Sequence, residues 1–349
     1  MDAPKIKKES KNKIKVDFER TPLLERLRTK YLSLNFLKTV VFYIFRLVLL
    51  LGISYVILFP FLSKIMASFM SPQDFVDVSV KLIPKHPTLN NYWQIIVENN
   101  YLTALLNTTL LSLMCAVTQT FICCVIGYGL SKFKFKGRNI VFMLVVFTMV
   151  VPHGTLYLSM YMQFRYFDLS IIPGVPGLFK IMQAIGIIDK LPNLTNSFWP
   201  LFVLSITGLA FKNGLYIFMM RNFFKGVPDE LEESAYIDGS GVFRTFLQII
   251  LPLSIPMMIT VFLFAFSWQW TDEFYHGMFF TSTSTTGFIL MPDIVSVPVT
   301  LSALPQSTNL FTEAVTNTCG ILIILPLVII YLFCQKYIVQ GIERSGIVG

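Results

Sequence analysis

The 349-residue sequence is 54% hydrophobic and 14% charged, with 33 Phe and a mean hydropathy of +0.65; several uncharged runs reach the ~20 residues that cross a bilayer, the composition of a polytopic membrane protein. Its net charge of +8 would suit a nucleic-acid binder, but Lys and Arg crowd positions 5 to 30, fill the short loop from Lys132 to Arg138, and are absent from Phe279 to Glu313. That asymmetry orients membrane segments with the basic side inward, and no groove-reading module accompanies it, so nucleic acid is excluded as a partner.

Residues 1–38 form a basic cytoplasmic segment, with an amphipathic helix expected around Leu23, Leu24 and Leu27. It is too long and too charged for a cleavable signal peptide, so it is expected to be kept as a topology anchor at an anionic membrane face. Residues 39–349 form the membrane domain. A first span is expected over 39–62, with Arg46 snorkelling near its cytoplasmic end. Residues 63–100 then make a turn-rich external loop, followed by a second span over 102–130 whose Gly127-Tyr128-Gly129 lets a neighbouring helix come close. The basic loop returns the chain inside, and a third span over 140–162 carries Pro152 near its middle, where a kink is expected. A short apolar piece, Leu178 to Ile188, lies at the outer surface. The fourth span, 198–220, contains Lys212 and Asn213, and an ionisable group at depth is a functional candidate.

Residues 222–252 lie in the one long polar interruption with the character of a built surface. Asp229 and Glu232 stand in the capping-box arrangement behind Pro228, and Leu231 and Ala235 share a face of the helix they start. Asp238-Gly239 ends that helix, because Gly accepts a positive φ. Ser240 is expected to cap a second helix bearing Val242, Phe243, Phe246, Leu247 and Ile250 as one apolar stripe, ended by Leu251-Pro252. Two short helices at an angle, acidic at the start and apolar on one side, make a knob suited to a partner's groove. A solvated connector is the plainer reading, but a connector needs no such stripe. Gly239-Ser240-Gly241 follows no strand and no P-loop pattern occurs, so the chain itself is expected to hold no nucleotide.

The fifth span, 255–276, contains Trp268, Trp270, Asp272, Glu273, Phe274 and Tyr275. Flat rings beside acids and amides suit sugar recognition: apolar faces for the pyranose C–H surface and acceptors for its hydroxyls. The same residues also fit an aromatic belt at the outer interface, and the sequence leaves both open. Residues 279–313 are external, the sixth span covers 314–337, and 338–349 form a cytoplasmic tail. The five Cys lie inside apolar runs and the three His are isolated, so neither a disulfide framework nor a metal site is indicated.

Glu233-Ser234-Ala235-Tyr236-Ile237-Asp238-Gly239, followed by Phe246, Ile249, Leu251 and Pro252, resembles the coupling loop of binding-protein-dependent ABC import permeases. That family has Glu-Ala-Ala, two residues, Asp-Gly, then Phe, Ile, Leu and Pro at fixed offsets, and Ser234 replaces its first Ala. Gly214-Leu215, Arg221-Asn222-Phe223-Phe224 and Trp270 to Phe274 are similar to the maltose-type carbohydrate permeases, with Thr271 where Asn is usual. Pro84, Thr88-Leu89 and Asn91-Tyr92 resemble the family's first external loop. The tail resembles its terminal signature, which reaches the ATPase dimer, although Glu343-Arg344 replaces small residues and Val348 a Lys.

The resemblance covers residues 60–349. It implies an all-α membrane protein of six transmembrane helices with a cytoplasmic two-helix coupling loop, the type I ABC importer permease fold, in a bacterial plasma membrane with both termini cytoplasmic. It further implies a second permease subunit as heterodimer partner, two ATP-binding subunits that carry ATP and Mg, an extracellular solute-binding protein, and membrane lipid around the spans. No catalytic residue, cofactor or metal is expected in this chain, which is read as no enzyme itself. Glu233, Ala235, Asp238, Gly239, Phe243, Phe246, Leu251 and Pro252 are the expected ATPase-coupling residues, Glu233 as anchor and Gly239 setting the angle. The implied function is ATP-driven oligosaccharide uptake. An ion-coupled secondary transporter would need paired intramembrane acids or inverted repeats, and no convincing repeat is present. A receptor whose loop merely recruits a soluble partner would share the apolar knob, and an ABC permease for a non-sugar solute would share the coupling loop.

Overall fold

The computed structural model describes residues 34–168, 176–280, 290–295 and 308–346. Among them the long elements are all helical: α1 (Leu34–Ser68), α2 (Pro72–Val76), α3 (Asn90–Glu98), α4 (Tyr101–Lys132), α5 (Arg138–Val150), α6 (Tyr157–Arg165), α7 (Leu178–Ala184), α8 (Trp199–Ile206), α9 (Asn213–Lys225), α10 (Glu230–Ile237), α11 (Val242–Thr245), α12 (Leu251–Trp270), α13 (Phe274–Phe279) and α14 (Thr308–Gly346). The basic segment before residue 34, most of the loop 279–313 and the last three residues lie outside the described residues.

The chain divides into two units at Ser63. In the first, residues 34–63 are part of one helix whose side chains from Val41 to Leu62 are all exposed. Its apolar stretch Lys38–Ser68 is 31 residues long, enough to cross a hydrocarbon layer of ~30 Å, and lipid is the solvent such a surface requires.

The second unit is organised around α4, which packs against α8, α9 and α12, while α12 packs against α14. Tyr216, Met220 and Phe224 of α9, Met257, Val261, Phe266 and Trp270 of α12, and Cys123 and Tyr128 of α4 share the larger core. A Cβ at Gly127 would stand 2.6 Å from the Met220 Cβ and 3.0 Å from the Arg221 nitrogen, whereas one at Gly129 would meet only the Phe133 ring at 4.0 Å. Of the two glycines, only Gly127 brings helices together. Pro326 inside α14 has no N–H to give the Leu322 carbonyl; that carbonyl takes the Tyr101 hydroxyl at 3.1 Å, and the next one, of Ile323, takes the Trp270 indole N–H at 3.0 Å.

The predicted spans need three corrections. Among the described residues, four helices are unbroken and long and apolar enough to cross: Lys38–Ser68, Tyr101–Lys132, Val242–Trp270 and Thr312–Tyr337. The third predicted span is not one kinked helix but two pieces bent by 95°; Val151 before Pro152 is extended, as the proline ring demands, and the helix ends there. The fourth is split between α8 and α9. Gly208 at φ +76 closes α8 in a Schellman turn, with Gly208 N–H on the Ser205 carbonyl and Leu209 N–H on that of Leu204, and Lys212 at φ +67 precedes α9. Finally, Leu251-Pro252 does not end the second coupling helix. A π turn over Phe246–Ile250, in which the Leu251 N–H reaches the Phe246 carbonyl, gives the proline ring room and lets α11 run on into α12.

Candidate functional site

The elbow between α10 and α12 is built on a tie to α4. Asp229, at the N-cap of α10, makes no side-chain cap bond, so the expected capping box does not form. Its carboxylate instead accepts from the Lys132 ammonium at 2.5 Å, and the same ammonium donates to the Val227 carbonyl at 2.6 Å. A charged donor outcompetes a neutral backbone N–H. This bond holds the Asp229 carboxyl below the usual carboxylate range. Glu232 is turned inward and buried, with its carboxylate beside the Tyr128 hydroxyl. At the other end of α10, Gly239 at φ +84 forms a second Schellman turn: its N–H bonds the Tyr236 carbonyl at 3.0 Å and the Ser240 N–H bonds that of Ala235 at 2.9 Å. Ser240 is therefore used by the turn, and Gly241, not Ser240, stands at the uncapped start of α11.

The elbow has two faces. Ala235, Thr245, Phe246 and Ile250 are buried; the Phe246 ring lies 4.8 Å from that of Tyr128, which also meets Phe224 at 5.5 Å and Phe133 at 5.4 Å. On the outer face Ile237 is 86% and Phe243 75% exposed, with Leu231, Tyr236, Val242 and Leu247 also open. The expected single stripe is thus divided, because the π turn changes the facing of residues between 246 and 250. Of the expected coupling residues, Glu233, Asp238, Gly239 and Phe243 are on the open surface, Ala235 and Phe246 are seated inward, and Leu251 and Pro252 form the first turn of α12, half-buried and exposed respectively. Sequence reasoning did not single out Lys132 or the Tyr128 ring for this elbow. Lys132 was visible only as one of a basic cluster.

A second cluster gathers where the fourth predicted span breaks. The Lys212 ammonium lies 4.4 Å from the centre of the Phe211 ring and 4.6 Å from that of Trp268. His153 packs its ring 4.5 Å from Phe211, and its Nδ1 is 3.2 Å from the Tyr275 hydroxyl. The Asp272 carboxylate accepts the Tyr275 N–H at 3.2 Å and is buried against the start of α13. Trp268, Asp272 and Tyr275 border one small pocket with Phe211 and Gln119, and Tyr275 and His153 border a larger cleft of about 800 Å³. Glu273 is exposed at the start of α13, and the Phe274 ring meets Tyr157 at 5.8 Å. Trp270 stands apart as a core residue, 1% exposed and stacked on Phe266 at 5.5 Å.

Residues 119–344 match the family described as binding-protein-dependent transport system inner membrane component. The sequence is 28% identical over 309 residues to the galactooligosaccharides transport system permease protein GanQ of Bacillus subtilis (strain 168), covering 88% of this chain and 95% of that protein. It is 28% identical over 302 residues to the maltodextrin transport system permease protein MalD of Streptococcus pneumoniae (strain ATCC BAA-255 / R6), covering 85% and 92%. Its fold is similar, with a TM-score of 0.60 and 21% identity over 85% of this chain and 96% of the other, to a chain in the crystal structure of a bacterial ABC transporter involved in the import of the acidic polysaccharide alginate.

Proposed function

The chain belongs to the family of binding-protein-dependent transport system inner membrane components, and on that footing we propose that it is the permease subunit of an ATP-driven importer that takes up oligosaccharides delivered by an extracellular solute-binding protein. It crosses the bacterial plasma membrane six times, the bent pair α5–α6 and the split pair α8–α9 each serving as one crossing, with both termini inside. A second permease subunit completes the pathway, and two ATP-binding subunits carry ATP and Mg.

The observation that carries this reading is the division of the elbow. One face is tied to α4 by Lys132 and Phe246, while the other leaves Phe243 and Ile237 open beside Glu233 and Asp238. Large apolar side chains on a polar loop are what a protein partner covers. When ATP draws the two ATP-binding subunits together, the elbow moves as a rigid piece. Because α11 continues into α12, that movement is applied directly to a membrane helix. The carbohydrate assignment draws on what the named relatives transport, and on the half-exposed Trp268 ring beside Asp272 and Tyr275. Purification from membranes tests the reading: the ATP-binding subunits should accompany this chain in stoichiometric amount, and uptake should stop when they are deleted. Uptake that persists without them points to an ion-coupled carrier instead.

A further inference from the structure

Lys212, where α8 gives way to α9, is a cation that the coupling account does not use. Measured by helical rise from Lys225 at the elbow end, Lys212 lies ~20 Å along α9, well inside a hydrocarbon layer of ~30 Å. By the same rise Trp268 lies ~25 Å along α12 from Leu251, so two separate elements bring the ammonium and the ring to similar depth. A charge at such depth faces the interior of the assembly or a polar path, not lipid. Among the described residues the Lys212 ammonium is in no ion pair. Its two ring contacts leave its hydrogen-bond donors unfilled. It stands at the start of the 13-residue helix α9, which has no side-chain cap and so carries free N–H groups and partial positive charge. Both features open on a cavity of about 160 Å³ bordered by His153, Phe211, Gly214 and Leu215. Beside it Asn213 is fully buried, and among the described residues neither its side-chain Nδ2 nor its Oδ1 is bonded. The acid of the neighbourhood, Asp272, is engaged by the Tyr275 N–H and borders the pocket that lies with Trp268 and Gln119.

We propose that this cavity receives a carboxylate carried on a sugar ring, with Lys212 binding the carboxylate and the apolar face of the ring lying on Trp268, which borders the adjoining pocket beyond Phe211. The transported oligosaccharides are then uronate-containing. The inference rests on the oligosaccharide-permease reading and adds the charge of its substrate. A neutral sugar leaves the ammonium uncompensated at depth, whereas a uronate makes a charge-assisted hydrogen bond with it in a low-dielectric site. Preference follows from that difference rather than from total contact.

The test uses the assembled transporter with its partner subunits and binding protein in sealed vesicles. The paired probes are trigalacturonate and its fully methyl-esterified, uncharged counterpart. The native complex should favour the acid by about tenfold or more, the scale of one charge-assisted bond. Lys212→Gln should bring the ratio close to unity, and Lys212→Arg should keep most of it. A ratio unchanged in Lys212→Gln, in a complex that still hydrolyses ATP, overturns the proposal. So does a native complex that carries maltotriose and rejects trigalacturonate, which leaves the oligosaccharide reading standing. An assembled, ATP-hydrolysing complex that moves no saccharide removes that reading itself, and the inference with it.

Discussion

Lys132 and Asp229, 97 positions apart in the sequence, meet at 2.5 Å and fasten the end of α4 to the start of the elbow. The two sides of this contact differ: the Lys132 side chain is 7% exposed and that of Asp229 77%. The ammonium is therefore fixed by its surroundings, and the carboxylate comes to it.

Removing the ammonium should loosen the elbow. Lys132→Met also strips the Val227 carbonyl of its partner, a loss of about 1–2 kcal/mol, and should lower uptake per ATP hydrolysed while the complex still assembles. Asp229→Asn should do less, since the Val227 bond survives. The pH dependence has a definite sign. A carboxyl held below its ordinary value contributes fully above that value, 3.8 for this group, and its contribution is lost as pH falls through the lowered one. The mobility of a spin label on the elbow should thus be constant from neutral pH down to that value and rise only below it, and Asp229→Asn should lack this acid limb.

Gly239 supplies the second test. A Cβ there would meet nothing within 4 Å, but φ is +84, so a substitution strains the backbone without a clash. A β-branched residue in this region costs about 1–3 kcal/mol. Gly239→Val should reach the membrane at native level and fail in transport, whereas Gly239→Asn, the next-best residue for a Schellman turn, should keep most activity. Unchanged uptake by the valine variant would remove the lever account.

Gly127 and Gly129 form a matched pair for stability. Gly127→Ala forces a Cβ to 2.6 Å from that of Met220 and should cost about 1–3 kcal/mol by overpacking. Gly129→Ala has room and should be neutral or gain up to ~1 kcal/mol of helix propensity. Thermal unfolding of the detergent-solubilised variants measures both.

The elbow's location and its Asp238-Gly239 break were legible, because a polar stretch between apolar runs and a glycine after an acid are local signals. The capping box was not, since the competitor for Asp229 is Lys132, which only the packing of α4 brings near. The run through Pro252 was hidden for a different reason. Proline normally marks an end, and the π turn that accommodates it has no sequence signature of its own. Lys212 stood out as an ionisable group in an apolar run, but the turn at Gly208 that gives it a cavity beside Phe211 and Trp268 could not be read from spacing that looked continuous from 198 to 220.

Trp268 and Trp270, two positions apart, should behave oppositely. Trp270→Ala removes a buried indole and its bond to the Ile323 carbonyl and should destabilise the protein by about 3–5 kcal/mol. Trp268→Ala, at a half-exposed ring, should leave unfolding nearly unchanged while reducing sugar uptake. Equal loss of stability in both variants would make Trp268 a packing residue.

The most direct measurement concerns Phe243, whose ring is 75% exposed at the tip of the elbow. With Cys115, Cys123, Cys124 and Cys319 buried and Cys334 half-buried, a Phe243→Cys variant offers a prominent new thiol for cross-linking in the assembled transporter. The account predicts a cross-link to an ATP-binding subunit, with efficiency that changes when ATP is bound, and no labelling by an impermeant reagent added outside the cell. Labelling from outside, or a thiol that finds no partner in an intact complex, would contradict it.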